Sequence, residues 1–219
     1  MRFFSFVIIT MLFSCCTNKE SKPSTVSDRF KQYVPKNTGD KYFPRDSLFF
    51  VPGDNQRSAD LFIKNWYSET LFNLQEPILY NYSGEGESIR LLWLRAFDNP
   101  LVVRVSKFQD TVYANIKELK SKSYDTKPQI LKDTIIILKT KKWQEILSGL
   151  QANNFWNAAI EDSSSGKDGI AWFLECRLQN KYHYINRWED GRLSSKYLNL
   201  YANELIKIGK DFVQMKSSR

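Results

Sequence analysis

Three apolar runs between residues 89 and 117 constrain the fold more than any other feature of the chain. The runs are separated only by residues 98–100, which include Pro100, and by Gln109 and Asp110. Breaks this short join neighbouring antiparallel strands, whereas a parallel crossover needs about a dozen residues or more. The pattern therefore predicts an antiparallel meander and argues against an alternating parallel α/β fold.

Three segments have apolar residues at helical spacing. Residues 59–75 predict an amphipathic helix whose aromatic residues, among them Phe62 and Trp66, lie in the core. A short helix is expected behind Thr140 as its N-cap, and a last helix is expected over residues 198–212. Helices that are set apart from runs of strands are typical of the α+β class.

Further strand patterns complete the predicted sheet. They cover residues 77–82, residues 134–138 and a hairpin over residues 172–188. The expected fold is thus α+β, with an antiparallel meander sheet of about six or seven strands packed with three helices.

The body of the chain is predicted to form one α+β domain over residues 48–219. The chain has 219 residues, of which 42% are hydrophobic and 26% charged, as in a globular protein with a single core. Residues 15–47 contain three prolines, many polar residues and no sustained apolar period, so they are expected to form a flexible tether. Tyr33, Tyr42 and Phe43, within this tether, are expected to dock onto the body.

The N-terminus has the pattern of a signal peptide. Arg2 precedes an apolar stretch over residues 3–13, which is too short to span a bilayer. The stretch ends at Ser14 and Cys15, with Leu12 three residues before the cysteine. This segment resembles the lipobox of bacterial lipoproteins, in which Leu lies at that distance and a small residue directly precedes the cysteine.

The resemblance implies that residues 1–14 are a signal peptide and that Cys15 is lipidated, palmitate included. Cys16 is the alternative site, for which Phe13 would occupy the Leu position. Several acyl chains would then hold the protein at a membrane, because one chain alone binds only marginally. We therefore expect an exported, membrane-anchored lipoprotein, in the outer rather than the inner membrane if the cell is Gram-negative.

The charge of the chain favours an anionic partner. The formal net charge is +8, with basic and acidic residues interleaved along the whole sequence. An exported protein is not expected to meet nucleic acid, so the positive charge is assigned to anionic lipid headgroups or an anionic envelope polymer. An envelope protein is the other expected partner.

No metal or cofactor is expected. The chain has one histidine and no closely paired cysteines of the kind that bind zinc in a folded domain. The loop over residues 161–169 superficially resembles a phosphate-binding loop, but Glu161 occupies the first glycine position. Asp168 replaces the Ser or Thr that would bind magnesium there.

The predicted hairpin over residues 172–188 contains the only histidine of the chain. A two-residue loop would place Trp172 beside Arg187, whereas a three-residue loop over residues 179–181 would place Trp172 beside aromatic residues. The longer loop separates apolar from polar side chains better, and a register shift exchanges the two faces of a strand. The sequence therefore favours one charged face that comprises Glu175, Arg177, His183 and Arg187.

This charged face has two interpretations. Glu175 and His183 could act as an acid–base pair of a hydrolase, or the arginines could line an anion pocket. The ordinary interpretation is cross-strand charge pairing that stabilises the sheet, and the sequence favours it. We therefore expect a non-catalytic binding or accessory module. The alternatives are a hydrolase that uses Glu175 and His183, and an envelope glycan-binding protein that uses exposed Trp and Tyr residues.

The body also resembles a family of uncharacterised bacterial envelope proteins. The similarity covers the chain from about residue 90 onward, including the strands up to Lys117. The matching residues are Phe155, Trp156, Asp168, Gly169, Trp172, Leu174, Glu175, Tyr182, Arg187 and Trp188. The resemblance implies a single domain and no particular activity.

Overall fold

The computed structural model describes residues 34–36, 42–44, 56–81, 86–95, 98–120, 127–160, 169–189 and 196–214. Within these residues one antiparallel sheet of six strands packs with three α-helices, so the predicted α+β class is confirmed. The elements are α1 (Gln56–Asn73), β1 (Glu87–Arg95), β2 (Leu101–Phe108), β3 (Thr111–Leu119), β4 (Ile130–Leu138), α2 (Thr140–Ala152), a short 3-10 helix (Phe155–Asn157), β5 (Ile170–Leu178), β6 (Lys181–Glu189) and α3 (Lys196–Gln214).

The strand order across the sheet is β4-β3-β2-β1-β5-β6. Strands β1 to β4 form the predicted meander, and β5 returns to pair with the other side of β1. The strand predicted at residues 77–82 is not formed over the part described, residues 77–81. There the Pro77 carbonyl accepts a hydrogen bond of 2.6 Å from Arg90 Nη1, and Leu79 is buried. This segment therefore covers the sheet instead of extending it.

Along the central strands β3, β2, β1 and β5, both faces of the sheet are buried under other elements. One face, called here the helix-pair face, packs against α2 and α3 through residues such as Trp143, Ile146 and Leu205. The opposite face, called the α1 face, packs against Tyr67, Leu71 and Leu74. A strand between two covered faces needs apolar residues on both sides, so polarity alone does not distinguish its faces.

Two residues near the N-terminus complete the α1 face. Tyr42 and Phe43 are buried, which confirms that this part of the predicted tether docks onto the body, whereas Tyr33 lies outside the described residues. The Phe43 and Phe173 rings meet edge to face with centroids 4.8 Å apart, and Tyr42 Oη donates a 2.6 Å hydrogen bond to the Glu76 carbonyl. The folded body therefore includes residues 42–44, which precede the predicted boundary at residue 48.

Helix α1 faces the sheet along one stripe only. Tyr67, Leu71 and Leu74 are buried, whereas Phe62 is 66% exposed and Trp66 is 39% exposed. The prediction that the helix's aromatic residues all lie in the core was therefore wrong for these two. Residues at i, i+4 and i+7 share one side of a helix, and Phe62 and Trp66 fall outside that stripe.

The end of α1 directs the chain toward the sheet. Gln75 adopts a left-handed conformation with φ of 52°. The Gln75 N–H donates to the Phe72 carbonyl (2.9 Å) and the Glu76 N–H to the Leu71 carbonyl (3.0 Å), the two hydrogen bonds of a Schellman cap. The turn places Glu76 directly over the centre of the α1 face.

Helix α2 begins one residue earlier than predicted, because Thr140 was expected to be the N-cap. Its N-cap is Lys139, in extended conformation, and Thr140 is its first helical residue. Helix ends commonly shift by one or two residues, so the predicted element itself is correct.

Candidate functional site

The hairpin between β5 and β6 has a two-residue loop, Gln179 and Asn180. In this register Cys176 lies opposite His183, and Glu175 lies opposite Tyr184. The predicted three-residue loop was therefore wrong, and so was the single charged face. The sheet separates the four residues into two pairs: Glu175 and Arg177 lie on the α1 face, and His183 and Arg187 lie on the helix-pair face.

The cause of this error is physical. The prediction assumed that one face of the hairpin is apolar and the other solvated, but both faces carry core residues, such as Leu174 on one and Phe173 on the other. The loop itself gave a weak signal, because Gln179 takes a positive φ of 53° where glycine or asparagine is more usual.

A row of polar side chains crosses the α1 face. The strand registers place Asn115 on β3 opposite Arg104 on β2, Arg104 opposite Arg90 on β1, and Arg90 opposite Glu175 on β5. All four side chains are buried. Charged groups at such positions need partners within the protein, because an unpaired buried charge is very costly.

Glu76 supplies the counter-charge above this row. Its Oε2 atom accepts a 2.8 Å hydrogen bond from Arg104 Nε and lies 3.5 Å from Arg90 Nη1. Its Oε1 atom lies 3.1 Å from Lys117 Nζ. Together with Glu175, these residues form what we call the buried ion cluster, which comprises Glu76, Arg90, Arg104, Lys117 and Glu175.

Glu175 occupies the far end of the buried ion cluster and is fully buried. Arg90 donates to its Oε2 atom from both Nε (2.8 Å) and Nη2, and Tyr182 Oη donates to its Oε1 atom at 2.8 Å. Both carboxyl oxygens are thus engaged by protein donors. Arg177, the neighbouring predicted site residue, instead donates from Nη1 to the Gly86 carbonyl at 2.9 Å.

Lys117 links the cluster to the end of α1. Its Nζ atom donates to the carbonyls of Leu74 (2.7 Å) and Gln75 (2.8 Å) as well as lying beside Glu76. The last carbonyls of a helix lack partners in the helix and carry partial negative charge, so an ammonium there is favourable. The cluster therefore attaches α1 to three strands of the sheet.

The two acidic groups of the cluster differ in their pKa values. Burial raises the pKa of Glu76, but the positive charges of Arg104, Lys117 and Arg90 outweigh burial and lower that pKa to about 2. Burial raises the pKa of Glu175, and its bonds from Arg90 and Tyr182 oppose this without cancelling it. Burial and the nearby Glu175 charge raise the pKa of Tyr182 well above the usual range.

His183 and Arg187 serve a different segment on the helix-pair side. His183 Nε2 lies 3.1 Å from the Ala158 carbonyl, and Arg187 donates to the carbonyls of Ala159 (2.7 Å) and Ile160 (2.9 Å). We call residues 158–160 the edge strap. Burial lowers the pKa of His183, and the Arg187 charge adds to this, which favours a neutral ring that donates to Ala158.

This geometry does not assemble the predicted acid–base pair. Glu175 is inaccessible to solvent and bonded to Arg90, while His183 lies on the other side of the sheet and contacts the Phe155 ring at 5.1 Å. The free thiol of Cys176 is buried, and burial raises its pKa, which disfavours the reactive thiolate. In the described ranges no group of three acidic, His or Cys side chains could bind a metal ion.

Of the buried ion cluster, only Glu175 was predicted as a site residue from the sequence. Lys117 is the last residue of the strand predicted over residues 111–117, whereas Arg90 and Arg104 each stand between apolar residues inside a predicted strand. That pattern was a usable signal, because a charged residue inside a strand with two apolar neighbours must find a partner in the core. Glu76, which follows the helix, gave no such signal.

The predicted lipidation sites, Cys15 and Cys16, lie outside the described residues. Among the helices that the structure describes, none is both long and apolar enough to cross a membrane. The predicted attachment through acyl chains therefore stays a prediction.

The described residues define an α+β protein in which a buried ion cluster joins a helix to the centre of a six-stranded antiparallel sheet. Comparison of the chain with protein-family models and with curated proteins found no match.

Proposed function

We propose that this chain is a lipid-anchored envelope protein that acts as a non-catalytic binding or accessory module. One observation carries the binding role: α1 presents large apolar side chains to solvent. The charged residues of the buried ion cluster are used inside the fold. In this interpretation the exposed surface of α1 binds the partner, and the buried ion cluster stabilises the fold.

The N-terminal sequence supports the location. Its lipobox-like segment ends at Cys15, and the net charge of +8 suits a position close to anionic headgroups. The tether between the lipidated cysteine and the folded body is expected to be shorter than residues 15–47, because residues 42–44 already belong to the folded body. The body would therefore lie near the membrane surface, with its interacting helix accessible to other envelope components.

The exposed large apolar side chains that the structure describes on α1 form what we call the α1 aromatic patch, namely Leu61, Phe62 and Trp66. The centroids of the Phe62 and Trp66 rings lie 6.3 Å apart. Single exposed apolar residues are common, but neighbouring aromatic ones on one helix mark an interaction site. Aromatic anchors of this kind dominate the energetics of protein interfaces, which favours an envelope protein as the partner.

Site-specific photo-cross-linking in intact cells tests the proposal. A benzophenone amino acid in place of Phe62 in the full chain should give an adduct with an envelope protein, identified by mass spectrometry. The matched control carries the same group in place of Gln144, an exposed polar residue of α2. Adding Trp66→Ala should reduce the adduct at position 62. Equal adducts at both positions, or none at position 62, would contradict the binding role of α1.

Glycan binding is a second candidate that the same patch favours. The Phe62 and Trp66 rings are inclined by only 32° to each other, so their accessible faces could stack on sugar rings. In this case the full chain should co-sediment with isolated envelope polysaccharide, and Trp66→Ala should abolish it. Leu200→Ala, which removes an exposed apolar residue of α3, should have no effect.

A further inference from the structure

The two edges of the sheet are treated differently. At the β6 edge, the Asn186 N–H donates a 2.6 Å hydrogen bond to the Ile160 carbonyl, so the edge strap occupies this edge. His183 and Arg187 hold the strap in place through its carbonyls. At the β4 edge, within the part of the chain that the structure describes, no backbone hydrogen bond to another segment is formed by residues 130–138 beyond their pairing with β3.

The open edge is also apolar. Ile137 on β4 is 82% exposed, and Ile135 is exposed as well. Both point away from the helix-pair face, because their β3 partners Tyr113 and Asn115 do so. Unprotected edge strands tend to pair with another strand, and proteins usually block them with charges, bulges or covering segments. Among the described residues, the edge strap covers the β6 edge, whereas no segment covers β4, whose charged residues are Lys132 and Asp133.

The sequence of β4 is complementary to itself in one antiparallel register. With Ile136 opposite its own copy on a two-fold axis, Ile135 lies opposite Ile137 of the second chain. In the same register Asp133 lies opposite Lys139, and this charge pair occurs twice because of the symmetry. Lys139 has extended backbone (φ −68°, ψ 144°), and Asp133 and Lys139 are both exposed, so the pairing can continue to this position.

The neighbouring symmetric registers lack this complementarity. A two-fold axis through Ile135 places Asp133 opposite Ile137, and an axis through Ile137 places Lys139 opposite Ile135. Each of these registers places a charged side chain opposite an exposed apolar one, instead of pairing apolar side chains with each other and opposite charges with each other. Side chains directly opposite each other in antiparallel strands lie on the same face of the sheet, and the two-fold axis keeps each side chain on its own face. The axis must therefore pass through a residue position and not between two consecutive residues.

We propose that two copies of this chain pair through β4 in the Ile136-centred register. The six-stranded sheets of the two copies then form one continuous sheet. The inference goes beyond the binding role proposed above and does not need it, because it concerns a different surface from the α1 aromatic patch. The observations that carry it are the open apolar edge, its contrast with the covered β6 edge and the two symmetric charge pairs.

Cysteine cross-linking of the full chain in its membrane tests the register. In antiparallel pairs, opposite Cα atoms lie about 4.5–5.5 Å apart, which a disulfide can bridge. Ile136→Cys should therefore form a disulfide-linked dimer under mild oxidation, and reductant should abolish it. Ile137→Cys is the matched control: its side chain is far more exposed, but position 137 does not face its own copy. The unsubstituted chain reports any linkage through the native cysteines.

Charge exchange provides the second part of the test. In the Ile136→Cys chain, adding Lys139→Asp should cause loss of the dimer, since two aspartates then face each other. Adding Asp133→Lys as well should restore it. Stronger linkage at position 137 than at position 136, or no rescue by the exchanged charges, would overturn the proposed register. Linkage at position 136 to a different protein only would show that β4 takes a foreign strand and would overturn self-pairing.

Discussion

At the residue scale, Glu76 is the group on which the buried ion cluster depends. Three cations, Arg90, Arg104 and Lys117, lie within 3.5 Å of its carboxylate. Glu175 alone, which is bonded to Arg90, could not neutralise the other two. A buried charge that loses its partner destabilises a fold far more than a surface charge does. Replacement of Glu76 is therefore the sharpest test of the cluster's structural role.

Glu76→Gln should lower the free energy of unfolding at neutral pH by about 3–5 kcal/mol, because it leaves buried cations without their counter-charge. Urea denaturation of the full chain measures this change. Glu204→Gln is the matched control, since Glu204 pairs with Lys142 and Lys207 at the surface and its loss should cost less than about 1 kcal/mol. Equal effects of the two substitutions would contradict the role given to the cluster.

The pH dependence of stability follows from the same residue. The pKa of Glu76 is lowered from 4.5 to about 2 in the folded protein, so its contribution is fully present above pH 4.5. As the pH falls from 4.5 toward 2, the unfolded chain takes up a proton that the folded chain does not, and stability decreases. The Glu76→Gln variant should show a shallower loss over this range than the parent chain. An unchanged slope would mean that Glu76 is not ionised in the fold.

At the scale of elements, α3 approaches the sheet at a glycine. A Cβ atom on Gly209 would lie 2.9 Å from Val103 Cγ2 and 3.1 Å from Leu101 Cδ2, both on β2. Val103 is β-branched and has little rotamer freedom, so it cannot easily move aside. Gly149 on α2 offers a contrast, because a Cβ atom there would meet no atom within 4 Å.

The two glycines predict effects of opposite sign. Gly209→Ala should destabilise the protein by about 1–3 kcal/mol through overpacking against β2. Gly149→Ala should stabilise it by about 0.5–1 kcal/mol, because alanine favours the helix and no clash opposes it. Thermal unfolding of both variants, followed by circular dichroism, checks the pair. Stabilisation by Gly209→Ala would show that α3 does not pack as closely on β2 as the structure indicates.

At the scale of the whole molecule, the short breaks in the sequence predicted the meander well. The loops after Phe108 and Leu178 are short enough to leave antiparallel pairing as the only geometry. The position of β5 beside β1 was not predictable in the same way, because it depends on contacts between segments far apart in the chain. The same limit applies to Glu76, which meets its partners only after α1 has packed on the sheet.

The faces of the elements were harder to predict than the elements themselves. For the β5–β6 hairpin, a pattern of alternating residues identified two strands, but covered faces on both sides removed the contrast that would fix the register. For α1, the apolar residues exceed what one sheet-facing stripe can bury, so Phe62 and Trp66 remained outside. Phe62 and Trp66, which were wrongly predicted to lie in the core, belong to the surface proposed for binding.

Metabolic labelling with palmitate directly tests the proposed attachment of this chain to a membrane through Cys15. The full chain and its Cys16→Ala variant should both incorporate the label, and Cys15→Ala should lose it while the protein is still produced. Normal labelling of Cys15→Ala would show that Cys15 is not the anchor, and the absence of label from the unsubstituted chain would contradict a lipid-anchored protein.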